Sequence, residues 1–134
     1  MNRQDPILRK ALEAAVAARE NAYAPYSKFK VGAALVTRSG KIFPGCNVEN
    51  ASFGATICAE RGAILSAHAA GERDYRFIVV VTGAEPPSVP CALCLQVMAE
   101  FCPPDFEIYL AGPKGIERET KLGDLLPHPF REIP

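Results

Sequence analysis

Phe77-Ile78-Val79-Val80-Val81-Thr82 is an apolar, largely β-branched run in which polar and apolar positions do not alternate. A strand with one wet face alternates, so an unbroken run of this length marks a strand covered on both faces. The segment is therefore expected at the centre of a sheet. Upstream of it, Ala59 to Ala70 is rich in Ala, Ile and Leu and stops at Gly71, the pattern of a helix closed by a C-terminal glycine. Before that, Val31 to Thr37 and Lys41 to Asn47 are short apolar runs separated by Ser39-Gly40, which reads as a hairpin of two antiparallel strands. At the start, Ile7, Leu8, Leu12, Ala15 and Val16 recur at helical spacing behind Pro6, predicting an amphipathic helix to about Tyr23.

Downstream, Pro86, Pro87 and Pro90 keep the chain extended, and Cys91 to Phe101 carries Leu93, Leu95, Val97 and Met98 in a second helical pattern. Glu107 to Ala111 reads as a short strand and Leu122 to Leu126 as a turn of helix. Strands alternating with helices after an opening hairpin predict an α/β layered domain with a mixed sheet. The 134 residues fit one domain, 1–134, with no repeat, linker or low-complexity tract.

Fifteen Lys and Arg balance fifteen Asp and Glu. A formal charge of zero lacks the basic footprint of a protein that grips a phosphate backbone, so no nucleic-acid partner is expected. No run approaches the length of a membrane span and Met1 to Asp5 lacks an apolar signal core, which points to a cytoplasmic protein with no membrane partner. Five cysteines, an odd number, suit thiols or metal ligands in a reducing compartment better than disulfides. Cys46 and Cys102 stand beside apolar elements and are expected to be inert packing.

Cys58-Ala59-Glu60 and Pro90-Cys91-Ala92-Leu93-Cys94 carry the chemistry. They offer three thiolates to a zinc ion. A structural zinc site closes its tetrahedron with four protein ligands, whereas a catalytic one leaves a position for water. Here the count stops at three. Each of the two blocks opens a predicted helix, where the helix dipole and free N–H groups lower thiol pKa. Three thiolates around Zn²⁺ leave a charge of −1, and Arg61 is placed to offset it by hydrogen bonding to sulfur. Glu60, two residues from the first cysteine, is placed to take a proton from water and act afterwards as an acid. A cysteine followed at two residues by glutamate, then P-C-x-x-C, is similar to the signature of the zinc nucleobase deaminases.

The resemblance extends over nearly the whole chain. Tyr23-Ala24-Pro25-Tyr26-Ser27-Lys28-Phe29, Asn47-Val48-Glu49-Asn50-Ala51 and Cys58-Ala59-Glu60-Arg61 closely resemble the short, homotetrameric cytidine deaminases of pyrimidine nucleoside salvage. That resemblance implies a three-layer α/β/α fold with a mixed sheet of about five strands. It implies hydrolysis of cytidine and 2′-deoxycytidine to uridine and 2′-deoxyuridine, with release of ammonia. It also implies that Cys58, Cys91 and Cys94 hold Zn²⁺, that Glu60 shuttles protons and that Arg61 tempers the thiolate charge. Asn47 and Glu49 would hold the ribose 3′-hydroxyl, Phe29 would pack on the pyrimidine and the Ala59 N–H would read its O2. Phe130 would reach the ring from a neighbouring subunit of a homotetramer with shared sites.

Several positions depart from the family's pattern, Val89 among them where serine is usual. Ala92 and Leu95 stand where glycine and arginine are usual, which removes a charge from the second cysteine helix, and Phe53 stands where tyrosine is common. Three other readings compete. A deaminase of a modified cytosine nucleoside such as blasticidin S shares the cysteine blocks, although Asn47-Val48-Glu49-Asn50-Ala51 fits a free ribose better. A thioredoxin-like pair at Cys91 and Cys94 leaves Cys58-Ala59-Glu60 unexplained. A structural zinc module needs a fourth ligand, for which neither His68 nor His128 has suitable spacing.

Overall fold

The computed structural model describes residues 1–134. Helix α1 (Pro6–Glu20) is followed by strands β1 (Gly32–Thr37) and β2 (Ile42–Cys46), helix α2 (Ala59–Ala69) and strand β3 (Tyr75–Val81). Helix α3 (Ala92–Phe101), strands β4 (Glu107–Gly112) and β5 (Gly115–Lys121) and the single turn α4 (Leu122–Leu125) complete the chain. The sheet order is β2-β1-β3-β4-β5. Only β3 and β4 run parallel, so the sheet is mixed.

Strand β3 is central, as its sequence requires, and its two faces feed two cores. Ile78 and Val80 point with Leu35, Ile108 and Leu110 into a core closed by α2 and α3. Phe77, Val79 and Val81 point the other way and pack with Val36 and Tyr109 against Leu8, Ala11 and Ala15 of α1. Helices therefore cover both faces, and the three-layer α/β/α arrangement holds. Close approach of the layers depends on two glycines: a Cβ on Gly32 would fall on the Ala15 carbonyl, and one on Gly45 on the Ala59 carbonyl.

The end of α1 and the presence of β5 differ most from the sequence reading. Helix α1 starts where expected, with the Asp5 carboxylate accepting from the Ile7 N–H, but it ends at Glu20 rather than near Tyr23. Tyr23 is drawn out of the helix because its N–H donates to the Asn47 carbonyl and its carbonyl accepts from the Glu49 N–H. Strand β5 was not expected. It is an edge strand whose Glu117, Arg118 and Glu119 are solvent-exposed, so pairing with β4 alone defines it and no apolar periodicity announces it. No helix is long and apolar enough to cross a membrane.

Candidate active site

The site lies at the carboxyl end of β3, where the N-termini of α2 and α3 converge. Cys58 is the N-cap of α2 and Cys91 the N-cap of α3, with Cys94 one turn further into α3. Thirty-three residues apart in sequence, Cys58 and Cys91 bring their sulfurs to 3.9 Å. All three Sγ atoms lie within 4.8 Å of one another, and no histidine, carboxylate or fourth cysteine joins the group. With Zn–S bonds of about 2.3 Å, the edge of a tetrahedron is about 3.8 Å, so the cluster fits zinc with one position open. A thioredoxin-like pair would engage two sulfurs, not three. A closed structural site would need a fourth ligand.

The electrostatics suit a metal. The Cys94 thiol donates toward Cys58, and with the Arg61 guanidinium and Cys91 it brings Cys58 down to about 5 against the opposing effect of burial. Cys94 is correspondingly pushed up by that hydrogen bond and by burial, and coordination to a metal removes such a proton outright. Arg61 Nη2 donates to Cys58 Sγ at 3.2 Å and to the Thr56 carbonyl at 3.4 Å. The arginine is therefore turned inward to sulfur and is not a solvated helix side chain. Cys102 is buried in the core behind the site, and burial raises its thiol to about 12, in keeping with inert packing. Cys46 is half-buried.

Glu60 occupies the first turn of α2 and is 5% exposed. Burial raises its carboxyl to about 7, the Cys58 thiolate adds to that, and its own N–H together with Arg61 opposes it. It shares a cavity of about 210 Å³ with Cys58, Ala59, Cys91, Asn47 and Glu49. Ala59 begins the helix, so its N–H has no partner within α2 and is free for a ligand.

Asn47 and Glu49 reach the cavity while tying down the loop that follows α1. The Asn47 amide donates to the Phe29 carbonyl at 2.8 Å and accepts from the Val31 N–H at 2.8 Å. Glu49 Oε1 accepts from the Tyr26 and Ser27 N–H groups at 2.9 and 3.1 Å, and Oε2 accepts from the Ser27 hydroxyl. The Ser27 hydroxyl leads in holding the Glu49 carboxyl below the ordinary glutamate range. Each side chain keeps unused capacity: Asn47 one N–H and one lone pair, Glu49 a lone pair on Oε2.

The two aromatic candidates lie elsewhere. Phe29 is exposed beside the loop and, like Phe130, is outside the residues that line the cavity of its own chain. The tail that carries Phe130 lies against the body of the chain. Its backbone is fastened to α3 at Phe130 and Arg131, while the Phe130 side chain stays 62% exposed. Leu95 is 5% exposed and packs in the core, outside the residues that line the cavity. Phe53 is 74% exposed, with its ring edge-on to Tyr26 at 5.9 Å. Thr56, Thr82 and Ser88 also line the cavity. Sequence reasoning missed them because isolated hydroxyl residues in loops carry no periodic signal.

Residues 6–110 match the family model described as the cytidine and deoxycytidylate deaminase zinc-binding region. The chain belongs to this family. It is 47% identical over 119 residues to a cytidine deaminase of Halalkalibacterium halodurans, covering 89% of this chain and 90% of the relative. A cytidine deaminase of Sporosarcina psychrophila is 48% identical over 113 residues, 84% of this chain and 83% of that one. Among solved structures, cytidine deaminase from Burkholderia pseudomallei superposes with a TM-score of 0.86 at 54% identity, covering 91% of this chain and 98% of that chain. In this deaminase the metal-binding region and the convergence of the three cysteines coincide, so Zn²⁺ is the cofactor that fits the site.

Proposed function

We propose that this chain is a zinc-dependent hydrolase that deaminates cytidine and 2′-deoxycytidine, yielding uridine and 2′-deoxyuridine with release of ammonia. The observation that carries the reading is a three-thiolate cluster with no fourth protein ligand, sharing its cavity with a buried carboxylate. A deaminase of a modified cytosine nucleoside is not favoured, since the relatives at 47 and 48% identity are cytidine deaminases.

Cys58, Cys91 and Cys94 would hold the ion. Zinc bound there supplies Lewis acidity that brings the pKa of water from 15.7 to about 7. Glu60 takes a proton from the attacking water and passes it to N3 of the pyrimidine as the C4–O bond forms. It then takes the second proton, from the new C4 hydroxyl, and delivers it to the 4-amino group, which leaves as ammonia as the C4–N bond breaks and the C4 carbonyl forms. A carboxyl lifted to about 7 suits both duties, because near neutral pH it gains and loses its proton with little driving force either way. Arg61, hydrogen-bonded to Cys58, offsets the negative charge of the thiolates.

The Ala59 N–H meets the pyrimidine O2, and Asn47 with Glu49 holds the ribose 3′-hydroxyl through the hydrogen-bonding capacity that the loop leaves free. Phe29, exposed and tied through its carbonyl to Asn47 of the cavity, closes onto the ring as the nucleoside binds. Phe130, with its ring exposed, caps the pyrimidine of an adjacent subunit in a homotetramer. The enzyme serves pyrimidine salvage in the cytoplasm, acting on small nucleosides and not on polynucleotides. A panel of cytosine nucleosides followed by ultraviolet absorbance, with ammonia release measured alongside, tests the reading. Turnover of a modified cytosine nucleoside in preference to cytidine and deoxycytidine would overturn it.

A further inference from the structure

The C-terminal tail is held to α3 by a side chain that the proposed chemistry does not use. Gln96 lies two residues beyond Cys94 on α3, and its amide meets both backbone groups of Phe130. Gln96 Nε2 donates to the Phe130 carbonyl at 2.6 Å, and Gln96 Oε1 accepts from the Phe130 N–H at 3.2 Å. Arg131 adds a third tie, its Nη1 donating to the Ala99 carbonyl at 2.6 Å near the end of the same helix. One planar amide paired to both groups of a single residue imitates a rung of a β-ladder. It fixes the rotation of that residue as well as its distance from the helix.

The clamp does not bury the aromatic side chain that it orients. The Phe130 ring is 62% exposed while its backbone is fastened at both polar atoms. Pro127 and Pro129 have no N–H, so the tail can make few backbone bonds of its own and depends on side chains to order it. Burial does not account for this arrangement, because an apolar ring is stabilised by being covered. Presentation to another surface does account for it.

We infer that Gln96 is a positioning residue for the deamination. It holds the Phe130 backbone on α3 so that the ring is presented, already oriented, to the substrate cavity of a neighbouring copy. The inference rests on the proposed reading that Phe130 caps the pyrimidine of an adjacent subunit. A free tail would lose conformational entropy each time its ring docked, whereas the clamped tail has lost it on folding. Because Cys91 and Cys94 stand at the start of the helix that bears Gln96, the element that carries two sulfurs of one site also anchors the aromatic cap of the next.

The test is a double-mutant cycle on the zinc-loaded enzyme with Gln96→Ala, Phe130→Ala and the pair, reading kcat and KM for cytidine, zinc content and hydrogen exchange of the tail amides. Loss of two hydrogen bonds should raise KM about five- to tenfold, with full zinc and little change in kcat. Exchange at Phe130 and Arg131 should accelerate. In the Phe130→Ala background the same substitution should add nothing to KM, since Gln96 acts through the ring that is then missing. A purely structural role would instead damage both backgrounds equally. Arg131→Ala, which loosens the tail without altering α3, should raise KM in the same direction by a smaller factor and covers the case in which Gln96→Ala does not fold. If Phe130→Ala raises KM and neither tail-loosening variant does, the inference is overturned and the shared-site reading stands. If Phe130→Ala leaves KM unchanged, both fall.

Discussion

Replacing Glu60 by glutamine should disable the enzyme and stabilise its metal-free form. The substitution keeps the shape of a side chain that is 5% exposed but removes both its proton affinity and its charge. General acid–base catalysis is worth about 10²–10⁴-fold, or roughly 3–5 kcal/mol of barrier, so kcat should fall by at least a hundredfold with zinc content unchanged. The stability effect follows from proton linkage. In the metal-free fold, burial raises the carboxyl from 4.5 to about 7, so between those values the folded state binds more proton than the unfolded state. Stability then falls as pH rises through that window and levels off above about 7. The cost is about 3 kcal/mol at one pK unit per ~1.4 kcal/mol. The neutral amide escapes this cost. Urea denaturation of the zinc-stripped proteins should therefore show Glu60→Gln more stable than wild type at pH 8, with the gap closing toward pH 4.5. A zinc-replete variant within tenfold of wild-type kcat refutes the proton-carrier role. Equal denaturation midpoints at pH 8 refute the burial argument for its pKa.

The remaining expectations concern the metal, the sugar and the assembly. Wild-type protein should carry one zinc per chain and Cys91→Ala should lose it; full occupancy in the variant by metal analysis would remove Cys91 from the ligand set. Glu49→Gln can still accept from the Tyr26 and Ser27 N–H groups, so it should spare the loop while placing an amide where the 3′-hydroxyl needs an acceptor. Its kcat/KM for cytidine should fall roughly tenfold or more but barely change for 3′-deoxycytidine, and equal loss on both substrates would break the assignment. Mixing Phe130→Ala with Cys91→Ala chains should give more activity than the sum of the separate variants, because some hybrid sites pair an intact zinc cluster with an intact Phe130. Strict additivity, or an active monomer in sedimentation, would exclude shared sites.

The unbroken apolar run of β3 disclosed the central strand, and the glycine after Ala70 disclosed the end of α2, because both signals are local. Strand β5 was illegible for the opposite reason: its charged residues face solvent, and hydrogen bonds to β4 make it a strand. The cysteine spacing gave the metal cluster without a structure, since two helix starts each supply thiols in a pattern with few other uses. The same spacing said nothing of Thr82 and Ser88, whose place in the cavity depends on where the loop between β3 and α3 folds back.

A subtler loss concerns side chains with two duties. In sequence, Asn47 and Glu49 stand at and just beyond the end of an apolar strand, and the family resemblance alone assigns them to the sugar. In the fold most of their hydrogen-bonding capacity is already committed to the loop that carries Tyr26, Ser27 and Phe29. Substrate recognition is therefore left with one N–H and one lone pair on Asn47 and a lone pair on Glu49 Oε2. Alanine at either position would remove the loop anchor together with any sugar contact, so its effect on kcat/KM would not separate the two. Glutamine at position 49 does separate them, because an amide oxygen can serve the two loop N–H groups and its NH₂ can donate to the Ser27 hydroxyl, while the acceptor facing the cavity is lost.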